Sequence, residues 1–252
     1  MKYLLLFTVI LNILSADEIK SMHDAVNIAG KQRMFTQRML KDYAMVGMNN
    51  SYGKPNEDLN KTINIFENNL NLLYKYTDNE EILLSANSIK ENWKPIKKIF
   101  KEEPNKDIVG ELQESLDELL KESNNLTELF EKRIDKSSGK IVNIAGRQRM
   151  LSQRMAGLYM LKVWEVNDEK FRNKMDVSMD TFEESLEILK NSEINTPEIV
   201  ELLTKVERSF MFFKMMNKSS KAFIPALIYK KSNDILENMN SVTKLYVEMN
   251  KN

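Results

Sequence analysis

The sequence predicts an all-α protein made of two tandem, up-and-down four-helix bundles with long helices, related by a pseudo-twofold axis. Three observations support this fold class. Only 7 of the 252 residues are glycine and 5 are proline, so residues that end helices are scarce. Apolar residues recur at helical spacing between a small number of breaks. A long segment of the first half also returns in the second half, which is typical of a duplicated module.

The repeated segment occupies residues 26–39 and 142–155, 116 residues apart. Eleven of its fourteen positions are identical, and the other three exchange Lys for Arg, Phe for Leu and Thr for Ser. Further along, residues 121–126 resemble residues 230–235 at an offset of 109, which suggests that the second copy has lost about seven residues. We therefore predict two copies of one module.

Each module is expected to contain four helices, because turn-forming residues such as those at 49–55, 77–79 and 195–197 interrupt the helical spacing. Short connections favour antiparallel neighbours. The boundary at Ser137-Ser138-Gly139 is weak, so the sequence leaves open whether the fourth helix continues into the fifth. The predicted helices are 20–48, 56–76, 79–101 and 107–136 in a first domain at 17–136, and 138–166, 168–190, 197–217 and 221–250 in a second domain at 137–252.

Residues 1–16 have the features of a secretory signal peptide. Met1-Lys2 is a positive start, residues 3–14 are almost wholly apolar, and Ser15-Ala16 provides small residues for cleavage. This apolar run is shorter than the ~20 residues that a helix needs to cross a bilayer, so an uncleaved membrane anchor is the weaker alternative. We expect an exported, periplasmic or otherwise extracytoplasmic protein.

Composition argues against several classes of function. The chain has 37 basic and 37 acidic residues, which argues against a nucleic-acid-binding surface. It has no cysteine, so it forms no disulfide, thiolate nucleophile or cysteine-ligated metal site. One histidine, His23, and no recognised catalytic or phosphate-binding motif make an enzyme improbable. We predict a non-enzymatic protein with no cofactor and no metal site.

At 100° per residue, the repeated helix has two faces. One face, which includes Ile28 and Phe35, is suited to packing inside its own bundle. The opposite face carries a polar stripe that is the same in both copies. These candidate ligand-binding residues are Asn27, Gly30, Arg33 and Gln37 in the first copy, and Asn143, Gly146, Arg149 and Gln153 in the second.

If the two stripes face each other, Arg33 and Arg149 approach from opposite sides. Two guanidinium groups repel each other unless an anion lies between them, and each can donate paired N–H groups to a planar oxyanion. A glycine inside a helix costs about 1 kcal/mol relative to alanine, so it often marks the close approach of another helix or a ligand. The simpler alternative is that the arginines form surface salt bridges or extend over apolar surface.

The motif NIAGRQRMLSQRM at 143–155, and its partner at 27–39, resemble the signature of PilJ-type, NarX-like N-terminal sensor domains. Those domains form the extracytoplasmic part of type IV pilus chemotaxis transducers and of nitrate/nitrite sensor kinases. The resemblance implies a four-helix-bundle sensor without catalysis. In nitrate-sensing members, the motif arginine of each of two subunits holds the ligand, and Arg33 and Arg149 correspond to that arginine. Ile28 and Ile144 stand where those members carry a basic residue, so the match is closer to the PilJ-type branch.

Two functions follow from these observations. The first is an extracytoplasmic sensor that binds a small ligand, such as nitrate or nitrite, between the motif helices. Because the sequence contains no counterpart of the family's usual signalling module, its output would pass through a membrane-bound receptor, kinase or transducer. The alternative is a helical interaction module that packs against a membrane receptor without a small ligand. The sequence does not fix the ligand, the oligomeric state or whether both copies keep a site.

Overall fold

The computed structural model describes residues 19–134, 136–166, 168–218 and 224–249. All regular structure in these ranges is α-helical, which confirms the predicted fold class. The fourth helix ends at Glu131 and the fifth begins at Lys136, so the two are separate. The helices are α1 (Met22–Gly47), α2 (Pro55–Tyr76), α3 (Glu80–Phe100), α4 (Val109–Glu131), α5 (Lys136–Val163), α6 (Glu169–Lys190), α7 (Pro197–Lys218) and α8 (Pro225–Met249).

The predicted signal peptide, residues 1–16, lies outside the described residues. Among the helices that the structure describes, none combines the length and the apolar character that a membrane span requires.

Local sequence signals fix where several helices begin. The Ser21 side chain accepts a hydrogen bond from the backbone N–H of Asp24 at the start of α1, and Asn79 does the same for Ile82 at the start of α3. Proline occupies the first helical position of α2 and α7, where its missing N–H costs nothing. These signals explain why the helix starts were predictable from the sequence.

The two motif helices form the centre of the molecule. Helix α1 packs against α2 and α4 of its own copy and most extensively against α5, while α5 packs in turn against α6 and α8. As a result, α1 is buried on most of its surface, whereas α2, α3 and α4 each bury one apolar face. The repeated segments of the two copies therefore lie side by side in the interior.

Equivalent contacts recur in the two copies at an offset of 116 residues. Gln32 Nε2 donates to the carbonyl oxygen of Phe66 at 2.9 Å, and Gln148 Nε2 donates to that of Phe182 at the same distance. The offset also holds between α4 and α8, where the Thr127 and Thr243 hydroxyls each donate to the carbonyl four residues earlier. A twofold relation between whole copies stays a prediction.

The offset of 109 that the sequence suggested near the ends of the copies is wrong. It would align Asn124 with Asn233, but the residue that makes the same contact as Asn124 is Asn240. The two offsets differ by seven residues, which is about two helical turns. A shift of two turns keeps the same residues on the same face, so the wrong register gave a similar pattern of polar and apolar positions.

Candidate anion-binding site between the motif helices

Helices α1 and α5 place Arg33 and Arg149, the arginine pair, inside the protein. Each of these residues is only 1 % exposed, and neither forms an ion pair within the described part of the chain. The alternative that they are surface salt-bridge partners, or extend over the surface, is therefore wrong. Each has one hydrogen bond to an amide: Arg33 Nη1 donates to Asn124 Oδ1 at 2.8 Å, and Arg149 Nη1 donates to Asn240 Oδ1 at 3.1 Å.

The two guanidinium groups meet beside the motif glycines. A β-carbon added to Gly30 would lie 3.2 Å from Arg33 Nη2 and 3.5 Å from Arg149 Nη2. One added to Gly146 would lie 3.1 Å from Arg149 Nη2 and 3.3 Å from Arg33 Nη2. Each glycine therefore borders both arginines, and any other residue at either position would fill space next to both charges.

Several polar atoms in this region are buried without a hydrogen-bond partner. On each arginine, both Nε and Nη2 are unpaired donors. The stripe also contains unpaired acceptors at Asn27 Oδ1, Asn143 Oδ1 and Gln37 Oε1. Leaving a buried donor or acceptor unpaired costs about 1–3 kcal/mol, and more for a charged group. Such a concentration of unpaired atoms in one place points to a ligand that supplies the missing partners.

The protein environment opposes the charge on both arginines. Burial, together with the positive charges of Arg147 and Arg149, lowers the pKa of Arg33 to about 9. Burial lowers the pKa of Arg149 to about 10. Both guanidinium groups still carry a proton at neutral pH, so the interior holds two like charges side by side. An anion between them would replace part of the hydration that both groups lose.

Two carboxylates lie near Arg33 without contacting it. Glu128 Oε1 accepts a hydrogen bond from Asn124 Nδ2 at 2.7 Å, and Asn124 in turn binds Arg33. Glu131 accepts a hydrogen bond from Asn143 Nδ2. The negative charges of Glu131 and Glu128 raise the pKa of Arg33 and so oppose part of the effect of burial.

An open cleft of about 670 Å³ between α4, α5 and α6 adjoins the same region. Its lining includes Glu128, Glu131, Asn143 and Arg147. Asn143 therefore belongs both to the cleft and to the polar stripe that carries Arg149, and its Oδ1 atom is the unpaired acceptor described above. The cleft therefore shares one residue, Asn143, with the polar stripe.

The two stripe glutamines differ in their partners. Gln37 Nε2 donates to Thr36 Oγ1 at 3.1 Å, and its Oε1 is unpaired. Gln153 is fully engaged, because its Nε2 donates to the carbonyl of Ser232 at 2.9 Å and its Oε1 accepts from Lys41 Nζ at 2.8 Å. A direct contact between Gln153 and a ligand would require those bonds to break.

Sequence reasoning missed Asn124, Asn240, Glu131 and Lys41. For the two asparagines a signal existed: carrying the offset of 116 through to the last helix of each copy pairs Asn124 with Asn240. No comparable signal marks Lys41 or Glu131, because neither has a counterpart of the same type in the other copy.

Comparison with known protein families gives one match. Residues 16–126 and 133–210 match the family PilJ, described as the type IV pili methyl-accepting chemotaxis transducer N-terminal region. The chain belongs to the PilJ family. The match covers more than half of the chain in two segments, which agrees with two tandem PilJ-type domains. The family description is that of a sensory, non-enzymatic part of a chemotaxis transducer. No curated protein and no solved structure matches the chain.

Proposed function

We propose that this PilJ-family chain is a non-enzymatic sensor that binds a small oxyanion between Arg33 and Arg149. The observation that carries the proposal is the set of unpaired, buried Nε and Nη2 donors on both arginines. These two atoms lie on the same edge of a guanidinium group, so they can donate two parallel hydrogen bonds to one planar oxyanion. Two guanidinium groups that present this edge to one space repel each other, and both would be attracted to an anion placed between them.

The surroundings favour a small ligand. The β-carbons that Gly30 and Gly146 lack would lie 3.1–3.5 Å from the Nη2 atoms, so both guanidinium groups lie close against the backbone of the motif helices. Asn27, Gln37 and Asn143 border the same stripe with unpaired acceptors, so a bound water or a protonated group of the ligand would fit beside them. Nitrate and nitrite have the size and planarity that this arrangement requires.

Binding at this place would affect both bundles. Each motif helix is the central helix of its own copy, and the ligand would bridge the two. A ligand shifts a conformational equilibrium only by the difference in its affinity for the two states. An anion that draws the guanidinium groups together would therefore favour one relative position of α1 and α5.

The cellular setting forms part of the proposal. Residues 1–16 would direct export to the periplasm, and the change in α1 and α5 would be read by a membrane-bound receptor, kinase or transducer. The family description, a chemotaxis transducer N-terminal region, supports a membrane signalling partner. No nucleic acid, metal or cofactor has a role in this mechanism.

Thermal unfolding of the purified protein with nitrate, nitrite, sulfate, phosphate and simple carboxylates tests the proposal. An anion at about 100 times its Kd adds roughly 2.7 kcal/mol of stability, which for a chain of this size raises Tm by several degrees. The expected result is a rise with one small planar anion.

The double variant Arg33→Met with Arg149→Met separates binding from packing. Methionine fills much of the same volume without a charge, so the ligand-free variant should unfold at a higher temperature than the wild type and should show no response to the anion. If no anion stabilises the wild type and the variant unfolds at a lower temperature, the arginines serve packing, and the interaction module becomes the better explanation.

A further inference from the structure

We infer that Glu128 and Glu131 make the arginine pair select singly charged anions over doubly charged ones. This inference rests on the proposed function and adds the charge class of the ligand and the residues that set it. It rests on the hydrogen bonds that hold the two carboxylates near the arginine pair and on the absence of acids at the equivalent positions of the second copy.

The Glu128 carboxylate is connected to Arg33 through a single amide. Asn124 accepts from Arg33 Nη1 at 2.8 Å and donates to Glu128 Oε1 at 2.7 Å. The amide fixes the distance between the carboxylate and the guanidinium group while keeping them out of direct contact. The carboxylate therefore repels a bound anion, and it leaves the Nε and Nη2 donors of Arg33 free.

Glu131, the last residue of α4, is joined in a similar way to an amide of α5. Its carboxylate accepts from Asn143 Nδ2, and this bond orients the amide so that Oδ1 is left buried and unpaired. Asn143 is 8 % exposed, precedes Gly146 by one helical turn and lines the cleft of about 670 Å³. A ligand in this cleft lies beside the Glu131 carboxylate and beside Asn143, which belongs to the polar stripe.

The second copy has no equivalent acids. At the offset of 116, Glu128 corresponds to Lys244 and Glu131 to Val247. The arginines, glycines and supporting asparagines are therefore duplicated, while the two carboxylates are present on one side only. Because the fold is built equally well with Lys244 and Val247 in the second copy, the bundle itself does not require acids at these positions.

The charge of the anion decides how strongly the two carboxylates weaken its binding. The attraction between an anion and the arginine pair grows in proportion to the charge of the anion, whereas the cost of removing the anion from water grows with the square of that charge. Basic groups at the rim of the cleft, Lys132, Lys140 and Arg147, draw anions in. The two carboxylates reduce the attraction inside, which penalises a doubly charged anion twice as much as a singly charged one.

Isothermal titration of the full chain with nitrate and with sulfate, in a chloride-free buffer of constant ionic strength, tests the inference. The variants are Glu131→Gln and Glu128→Gln, in which the glutamine oxygen can still accept from Asn143 or Asn124. Because the repulsion is proportional to ligand charge, the gain in sulfate affinity should be the square of the gain in nitrate affinity. For Glu131→Gln we expect about 3-fold for nitrate and about 10-fold for sulfate. Glu128 is exposed and better screened, so its effect should be smaller.

Glu118→Gln is the matched control. Glu118 is an exposed acid on the same helix, ten residues and about 15 Å before Glu128, and it forms an ion pair with Lys121 in the next turn. This substitution should change neither affinity. If Glu131→Gln changes the affinities for nitrate and sulfate by the same factor, the inference is overturned and the proposed function is left intact. If the wild type binds neither nitrate nor sulfate while another anion of the panel raises its Tm, this inference fails and the proposed function stands; if no anion of the panel raises the Tm, both fail.

Discussion

Two layers of the α1–α5 interface, two helical turns apart, differ in how closely the two copies match. The layer around Arg33 and Arg149 is nearly the same in both copies, with each arginine bonded to an asparagine and flanked by a glycine. In the next layer the first copy supplies a buried lysine and a buried aspartate that the second copy does not repeat. We call it the lysine layer, and its members are Lys41, Asp42, Gln153, Tyr229 and Asn233.

Lys41 is the centre of the lysine layer and is fully buried. Its Nζ donates to Gln153 Oε1 and to Asn233 Oδ1, both at 2.8 Å, and lies 4.0 Å from the centre of the Tyr229 ring. Asp42, which is also fully buried, lies 3.7 Å away. Lys41 thus extends from the first copy into the second and bonds to both α5 and α8.

The equivalent positions of the second copy carry different chemistry. Lys41 corresponds to Gly157 and Asp42 to Leu158, so no buried charge is present there. A β-carbon on Gly157 would lie 3.5 Å from the backbone nitrogen of Lys41, which shows how closely the two helices approach. The polar contacts are rearranged as well, since Arg154 pairs with Asp117 on α4, whereas Arg38 pairs with Asp58 on α2.

The difference shows what duplication within one chain allows. In a dimer of identical subunits, any change in one motif helix appears in the other. In this chain the layer that contains the arginine pair has the same residues and contacts in both copies, while the lysine layer joins unlike residues of the two copies. Gly157 of the second copy lies against Lys41 of the first copy, and the interior at this level would not hold a lysine from each copy.

The largest effect is expected for Lys41→Met. Removing one partner of a buried ion pair leaves the other charge uncompensated and typically costs 3–5 kcal/mol. Among the described residues, Asp42 would keep Arg38, 3.7 Å away, as a positively charged neighbour, while the negative charge of Asp58 acts against it. Urea unfolding followed by circular dichroism measures the loss.

The double variant Lys41→Met with Asp42→Leu should recover most of that stability, because it removes both charges together. A double variant that is no more stable than the single one would mean that Lys41 acts through packing or through its amide partners, and not through Asp42.

In the layer around Arg33 and Arg149, equivalent substitutions in the two copies should lower the stability by similar amounts. Asn124→Ala and Asn240→Ala each remove the one hydrogen bond of a buried guanidinium group and should each cost about 1–3 kcal/mol. The Asn124 variant should lose somewhat more, because its bond to arginine is shorter and it also binds Glu128. Urea unfolding of both variants under one set of conditions makes the comparison. A large loss in one copy with none in the other would contradict the equivalence of this layer.

The lysine layer should make stability depend on pH. Burial lowers the pKa of Lys41 from 10.5 to about 8. Above pH 8 the unfolded chain holds a proton that the folded chain has released, so the free energy of unfolding should rise with pH. The rise should reach about 1 kcal/mol between pH 8 and pH 9. The Lys41→Met variant should lack this rise, so subtracting its pH profile from that of the wild type should leave the rise that Lys41 causes. Matching profiles would show that Lys41 keeps its ordinary pKa.

The smallest change in stability is expected at two glycines of α5. Gly157→Ala adds a methyl group at ordinary contact distance and should stabilise the helix by about 0.5–1 kcal/mol. Gly146→Ala places its methyl group 3.1 Å from Arg149 Nη2, the end of a side chain that can move slightly, so the fold should survive. Thermal unfolding with and without nitrate should show the anion response kept in the Gly157 variant and lost in the Gly146 variant.

The sequence alone determined the helices and the arginine stripe. Apolar spacing and turn-forming residues act within a few residues, so the breaks at 49–55 and 77–79 placed the starts of α2 and α3 to within one residue. The stripe was visible because duplication repeated Gly30 and Arg33 as Gly146 and Arg149 in copies that differ widely elsewhere.

Only the tertiary structure revealed how these helices are completed by distant residues. Arg33 meets Asn124 across 91 residues, and Lys41 meets Asn233 across 192. Such contacts depend on the rotation of each helix and on its position along its neighbour, and the packing of the whole core sets both. A shift of two turns leaves the pattern of faces unchanged and exchanges every polar partner. The sequence therefore predicted which face of α1 carries the charge, and the packed core decided what that charge meets.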